Sequence, residues 1–132
     1  IAPIDTSTAL ARSISLTKDM VDGKLVMGID GVPASMAQPM SAKVGTTEVW
    51  SVKNDMDFDH PFHLHGFFFQ PLDSQTGAAL PSPAWLDTYN VPQHAQVQIA
   101  VQYDNRPGMW MFHCHILDHA DAGMMGMSSL SP

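Results

Sequence analysis

Apolar and polar residues alternate with a period of two along most of this chain. The clearest case is residues 96–103, where Val97, Ile99, Val101 and Tyr103 alternate with Gln96, Gln98, Ala100 and Gln102. A period of two places successive side chains on opposite faces of an extended strand. Ile14 and Leu16 alternate with Ser13, Ser15 and Thr17 in the same way. Beyond the turn pair Asp22-Gly23, Leu25, Met27 and Ile29 repeat the pattern before Asp30-Gly31 closes it, so a hairpin is predicted. Within 46–54, Trp50 and Val52 face one way and Ser51 and Lys53 the other. Residues 87–91 read as a short strand ended by Pro92-Gln93, and residues 104–108 turn the chain back. Residues 32–43, with Pro33 and Pro39, read as a crossing loop, and 71–86 as a long loop. Residues 1–9 show no period and read as an entering linker, leaving 10–132 as a single domain.

Composition supports this reading. Ten prolines, nine glycines and few charges in 132 residues favour many short strands joined by turns, an all-β domain large enough for an ordinary core. No apolar run approaches the roughly 20 residues needed to cross a bilayer, so no membrane partner is expected. Thirteen carboxylates against six basic side chains give a formal charge of −7, which disfavours nucleic acid as a partner. One cysteine excludes an internal disulfide. The chain opens on Ile1 rather than methionine and is expected to be a piece of a longer protein.

Two stretches carry chemistry. Residues 57–70 read Asp-Phe-Asp-His-Pro-Phe-His-Leu-His-Gly-Phe-Phe-Phe-Gln, and three histidines within six positions point to metal binding rather than core filling. Pro61 biases His60 toward extended backbone. On an extended backbone His63 and His65 share one face and His60 takes the other. Residues 110–127 hold the single cysteine, with Cys114 between His113 and His115, then His119 and Met124. There too the cysteine faces away from the two flanking histidines. Parity therefore proposes two sites, one joining His60 and Cys114 and the other joining His63, His65, His113 and His115.

A thiolate with two imidazoles and a weak axial thioether is the ligand set of a blue-copper electron-transfer site, here Cys114, His60, His119 and Met124. Zinc also accepts two His and one Cys, but leaves the methionine without a purpose. Other candidates have plainer readings. Met36 and Met40 at this spacing suit a thioether copper(I) patch, yet flexible apolar filler is the favoured reading. Trp85 edges a substrate pocket or simply packs. Asp55, Asp57 and Asp59 suit acceptors of imidazole N–H groups or proton carriers, and equally a solvated acidic turn. His94 reads as a surface histidine.

The motifs His-Pro-Phe-His-Leu-His-Gly (60–66) and His-Cys-His-Ile-Leu-Asp-His-Ala-Asp-Ala-Gly-Met-Met (113–125) resemble the two copper motifs in the C-terminal cupredoxin domain of multicopper oxidases, of the bacterial laccase and cuprous-oxidase kind. The approach Thr47-Glu48-Val49-Trp50 and the pair Asp87-Thr88 are also similar to that domain. The resemblance implies a cupredoxin-like Greek-key β-sandwich or barrel, the third domain of its parent, with a short helical turn near the copper loop. It implies that His60, Cys114, His119 and Met124 hold a type 1 copper, that His63 binds a type 2 copper, and that His65, His113 and His115 bind a type 3 pair. It further implies a laccase-like oxidase that passes electrons from a reducing substrate (a phenol, an aromatic amine or cuprous ion) to dioxygen. The resemblance also implies a periplasmic or secreted location.

Two departures qualify the resemblance. The family's trinuclear cluster uses eight histidines, and the His-Trp-His and His-Ser-His type motifs that supply the other four are absent from this chain. N-terminal cupredoxin domains, or a second chain carrying them, are therefore expected as partners. Without them the isolated chain is expected to be inactive as an oxidase and to self-associate through its uncovered surface. Ala120 also stands where many bacterial relatives carry a glutamate, which leaves Asp118 or Asp121 as candidates for proton relay. Two other functions fit less well. A standalone blue-copper carrier has no need of His63, His65, His113 and His115, and a copper nitrite reductase domain resembles the chain with only one histidine beside its cysteine.

Overall fold

The computed structural model describes residues 2–21, 24–29, 40–114 and 125–132. These form ten strands: β1 (Leu10–Val21), β2 (Lys24–Ile29), β3 (Met40–Lys43), β4 (Thr47–Asn54), β5 (His60–Leu64), β6 (Phe69–Leu72), β7 (Thr88–Val91), β8 (Ala95–Gln102), β9 (Gly108–Cys114) and β10 (Met125–Ser131). They assemble into two five-stranded sheets, ordered β2-β1-β4-β8-β6 and β3-β10-β9-β5-β7. Most neighbours are antiparallel, but β1 runs parallel to β4 and β3 parallel to β10, so both sheets are mixed. The all-β architecture expected from the alternation is present, and it is the sandwich that the resemblance implies. The helical turn expected near the copper loop falls on residues outside those described.

The alternating positions fill the space between the sheets. From the first sheet come Ile14, Leu16, Trp50, Val52, Val97, Ile99, Val101 and, just past β8, Tyr103. Phe62, Leu64, Val91, Phe112 and Leu130 come from the second, and all of these are buried. Trp50 bridges the layers, edge-on to Phe112 at 5.1 Å and to Phe62 at 6.2 Å between ring centroids. One carboxylate lies inside this apolar layer. Glu48 is 2% exposed and is satisfied by Arg12 Nε at 2.7 Å, Trp50 Nε1 at 2.9 Å and the Tyr103 hydroxyl at 3.2 Å. The predicted hairpin is β1–β2, with Val21 paired to Lys24.

Two loop readings need correction. β3 lies inside the segment read as a crossing loop, and Met40, one of the paired methionines, is half-buried against the core there. Met36 lies outside the described residues. β6 takes Pro71 and Leu72 from the start of the 71–86 loop. Both are edge strands of four residues, and Pro71 suits such an edge, where a missing N–H costs no ladder bond on the free side. The segment read as a linker is laced to the sheet through buried Gln70, whose Oε1 accepts from Ile4 N at 2.8 Å and whose Nε2 donates to Ala2 O at 3.0 Å.

Candidate metal centre

The short strand β5 carries His60 and His63, and His65 follows it directly. His60, Phe62 and Leu64 face the sandwich interior, and His60 is 0% exposed. His63 and His65 belong to the outward set. β9 lies antiparallel beside β5, in a register that pairs His63 with His113, Leu64 with Phe112 and Phe62 with Cys114. Directly opposed residues on adjacent strands share a face. His113 therefore joins His63 outside, while the backbone of Cys114 lies opposite an inward position on the His60 side.

On the outer face three imidazoles converge. One ring nitrogen from each of His63, His65 and His113 lies within 4.8 Å of the other two. The Nε2 atoms of His65 and His113 are 2.9 Å apart, and the ring centroids of the three residues are 4.5 to 5.4 Å apart. Nitrogens each about 2.0–2.1 Å from one ion lie roughly 3–4 Å from one another, so the spacing suits metal coordination. An all-imidazole donor set suits copper, zinc or iron rather than calcium or magnesium.

His63 is held in one ring state. Its Nδ1 lies 2.9 Å from the Asp87 carbonyl oxygen and 3.0 Å from Thr88 Oγ1. A carbonyl can only accept, so Nδ1 carries the proton and the lone pair is left on Nε2. The Thr88 hydroxyl donates in turn to Asp87 Oδ1 at 3.1 Å, which leaves the hydroxyl's lone pairs facing the imidazole N–H. The register of β5 with β7 pairs His63 with Thr88, which brings this support into place. From the sequence, Asp87-Thr88 stood out only through the resemblance. Nothing in its composition linked it to a histidine 25 residues earlier.

The acidic residues before His60 bond elsewhere. Asp59 accepts from Gln93 N at 2.9 Å and from Asn90 Nδ2 at 3.2 Å, and these bonds, led by the backbone N–H of Gln93, hold its carboxyl below the usual carboxylate range. Asp57 meets His94 Nε2 at 2.7 Å, and Asp55 meets Lys53 at 3.2 Å. His94 is an exposed residue, as expected, with a left-handed φ of 53°. Trp85, also exposed, lines a groove of about 660 Å³ with Phe67, Phe68 and Arg106, next to the turn that follows His65. Among the remaining ligand and relay candidates, His115, Asp118, His119, Asp121 and Met124 lie outside the described residues, and Cys114 is described through its backbone.

The family model for multicopper oxidases matches residues 5–129 of the chain. A laccase of Haloferax volcanii is 31% identical over 130 residues, covering 94% of this chain and 22% of that protein. A multicopper oxidase of Staphylococcus aureus is 37% identical over 129 residues, covering 92% of this chain and 28% of its own length. Among solved structures, the multicopper oxidase McoA of Aquifex aeolicus superposes with a TM-score of 0.83 at 28% identity, over all of this chain and 31% of the other. A metallo-oxidase of Campylobacter jejuni gives 0.85 at 27% identity, over all of this chain and 32% of the other. The chain thus spans between a fifth and a third of the length of these relatives.

Proposed function

Because the chain belongs to the multicopper oxidase family, we propose that it is the domain in which electrons from a reducing substrate enter such an oxidase and leave toward dioxygen. The observation that carries this reading is the division of β5, with His60 buried on one face and His63 and His65 beside His113 on the other. On this reading His60, Cys114, His119 and Met124 hold a type 1 copper, and His63, His65, His113 and His115 contribute half the ligands of a type 2/type 3 cluster. Bound copper supplies one-electron redox chemistry at both sites.

The chain's own residues set the conditions for that chemistry. Burial of His60 excludes water from one side of the thiolate site and limits rearrangement of that imidazole. The Asp87 carbonyl and the Thr88 hydroxyl hold His63 with Nε2 ready to coordinate. Cys114 is covalently adjacent to His113, so the backbone gives a short link between the sites. The outer histidines are open enough to receive ligands from a second domain, His65 being exposed and His63 and His113 half-buried. That opening fits a chain of about a third of the length of its solved neighbours, with the rest of the cluster supplied elsewhere. A phenol, an aromatic amine or cuprous ion is the proposed reductant.

Copper titration tests this reading. One Cu(II) is expected to give an intense blue thiolate-to-copper absorption that Cys114→Ser abolishes, and the isolated chain is expected to consume no oxygen with a phenolic donor. A Cys114→Ser chain that stays blue would overturn the thiolate assignment. Oxygen turnover by the isolated chain would overturn the half-cluster.

A further inference from the structure

The end of the sandwich beside His60 is a double crossing. β4 ends at Asn54 in the first sheet and β5 begins at His60 in the second, so residues 55–59 carry the chain from one layer to the other. β7 ends at Val91 in the second sheet and β8 begins at Ala95 in the first, so residues 92–94 make the return passage. The registers put the two passages side by side, with Asn54 opposite Ala95 and His60 opposite Val91.

The side chain of Asn54 ties both passages together. It is 0% exposed, and its Nδ2 donates to Phe58 O at 2.7 Å, Val91 O at 3.1 Å and Pro92 O at 3.2 Å. Its Oδ1 accepts from Met56 N at 3.0 Å. Two protons serve three carbonyls, so one of these bonds is shared. An amide of this length is the side chain that offers donors and an acceptor together without charge. Aspartate would turn carboxylate oxygens toward the same carbonyls.

His60 begins β5, and its backbone pairs with Val91 of β7. Its neighbour Pro61 has no N–H to give to the strand ladder, and β7 lies at the edge of its sheet. Farther along β5, His63 and the residues that follow are fixed by β9 and by the Asp87–Thr88 pair. The two ends of one five-residue strand thus have separate supports.

We propose that Asn54 is a positioning residue for the thiolate copper site, setting the place of His60 through the carbonyls of Phe58 and Val91 while leaving the His63, His65 and His113 cluster to its own supports. This rests on the reading of His60 as a copper ligand. Asn54→Asp removes the donors, whereas Asn54→Ser keeps one donor and one acceptor.

The test compares the two sites in one chain. With Cu(II), Asn54→Asp is expected to lose or shift the blue absorption and to weaken copper binding about tenfold or more, with Asn54→Ser between it and the wild type. Zinc titration of the three-imidazole cluster, made in a Cys114→Ser background, is expected to stay within about twofold of the parent for both variants. Unchanged copper spectra in both variants, with a blue wild type, overturn the proposal alone. Parallel losses at both sites overturn it as well, because they mark Asn54 as a support of the whole fold. A wild type that never becomes blue overturns the copper-ligand reading and the proposal with it.

Discussion

His63 owes its ligand-ready ring to two oxygens on the neighbouring strand, one of them a hydroxyl that substitution can remove without altering size. Thr88→Val deletes the 3.0 Å contact and leaves the Asp87 carbonyl at 2.9 Å to hold Nδ1. Zinc or copper affinity at the outer cluster is expected to fall about tenfold, toward the lower end of what supporting groups contribute. Stability should change by about 1 kcal/mol or less, since the contact is partly solvated. Calorimetric titration checks the first and chemical denaturation the second; full affinity in the variant would assign the ring state to the carbonyl alone. At this scale the sequence displays the candidate ligands, because three histidines in six positions and His-Cys-His point to metal binding. It does not display Thr88 or Asn54, common residues that strand register brings against His63 and against the loop before His60.

The turn closing β5 is open to disruption by a single change. Gly66 has a φ of +82°, and a Cβ built there would lie 2.3 Å from Cε3 of Trp110. Arg106 completes the turn, with its guanidinium 5.0 Å from the Phe67 ring centroid and 4.9 Å from that of Trp110, and it donates to Gly66 O and to Asp104 Oδ2. Gly66→Ala meets both a left-handed backbone and a displaced indole, and is expected to lose at least about 2 kcal/mol of folding stability in chemical denaturation. A loss below half of that would show that Trp110 moves aside freely. β1, β2, β4 and β8 were legible from alternation alone. β3 and β6 were not: β3 closes a proline-containing stretch that reads as a loop, and β6 is buried at every position, so its sequence carries no alternation.

For the whole molecule, the buried Glu48 group links both sheets: Arg12, Trp50 and Tyr103 meet the carboxylate, and the Tyr103 hydroxyl lies 3.2 Å from Ser128 Oγ on β10. Burial is the main cause that pushes the Tyr103 phenol far above its ordinary value of 10.0. The folded chain therefore keeps a proton that the unfolded chain releases in alkali. This contribution to stability is complete below the ordinary phenol value and is lost as the pH rises from there toward the folded value. Tyr103→Phe is expected to flatten that alkaline decline while costing about 1–3 kcal/mol at neutral pH, where Glu48 loses a donor. Denaturation midpoints at pH 7 and across the alkaline range measure both, and an unchanged alkaline slope would assign the decline to another group.

By itself the sequence determined the all-β class, the apolar faces of the longer strands, the family, and the residue types able to bind copper. The class and the apolar faces follow from local periodicity and the ligand types from their chemistry, while the family follows from the resemblance of two motifs; none of these needs knowledge of the fold. Parity also separated His60 from His63 and His65, because in a strand the face is fixed by counting. Only the tertiary structure decided which strands are neighbours. The pairing of β5 with β9 brings His113 to His63 and His65 from 48 to 50 residues away, and its pairing with β7 brings Thr88 to His63. The two crossings laced by Asn54 arise the same way, from contacts between distant segments whose register no local pattern encodes.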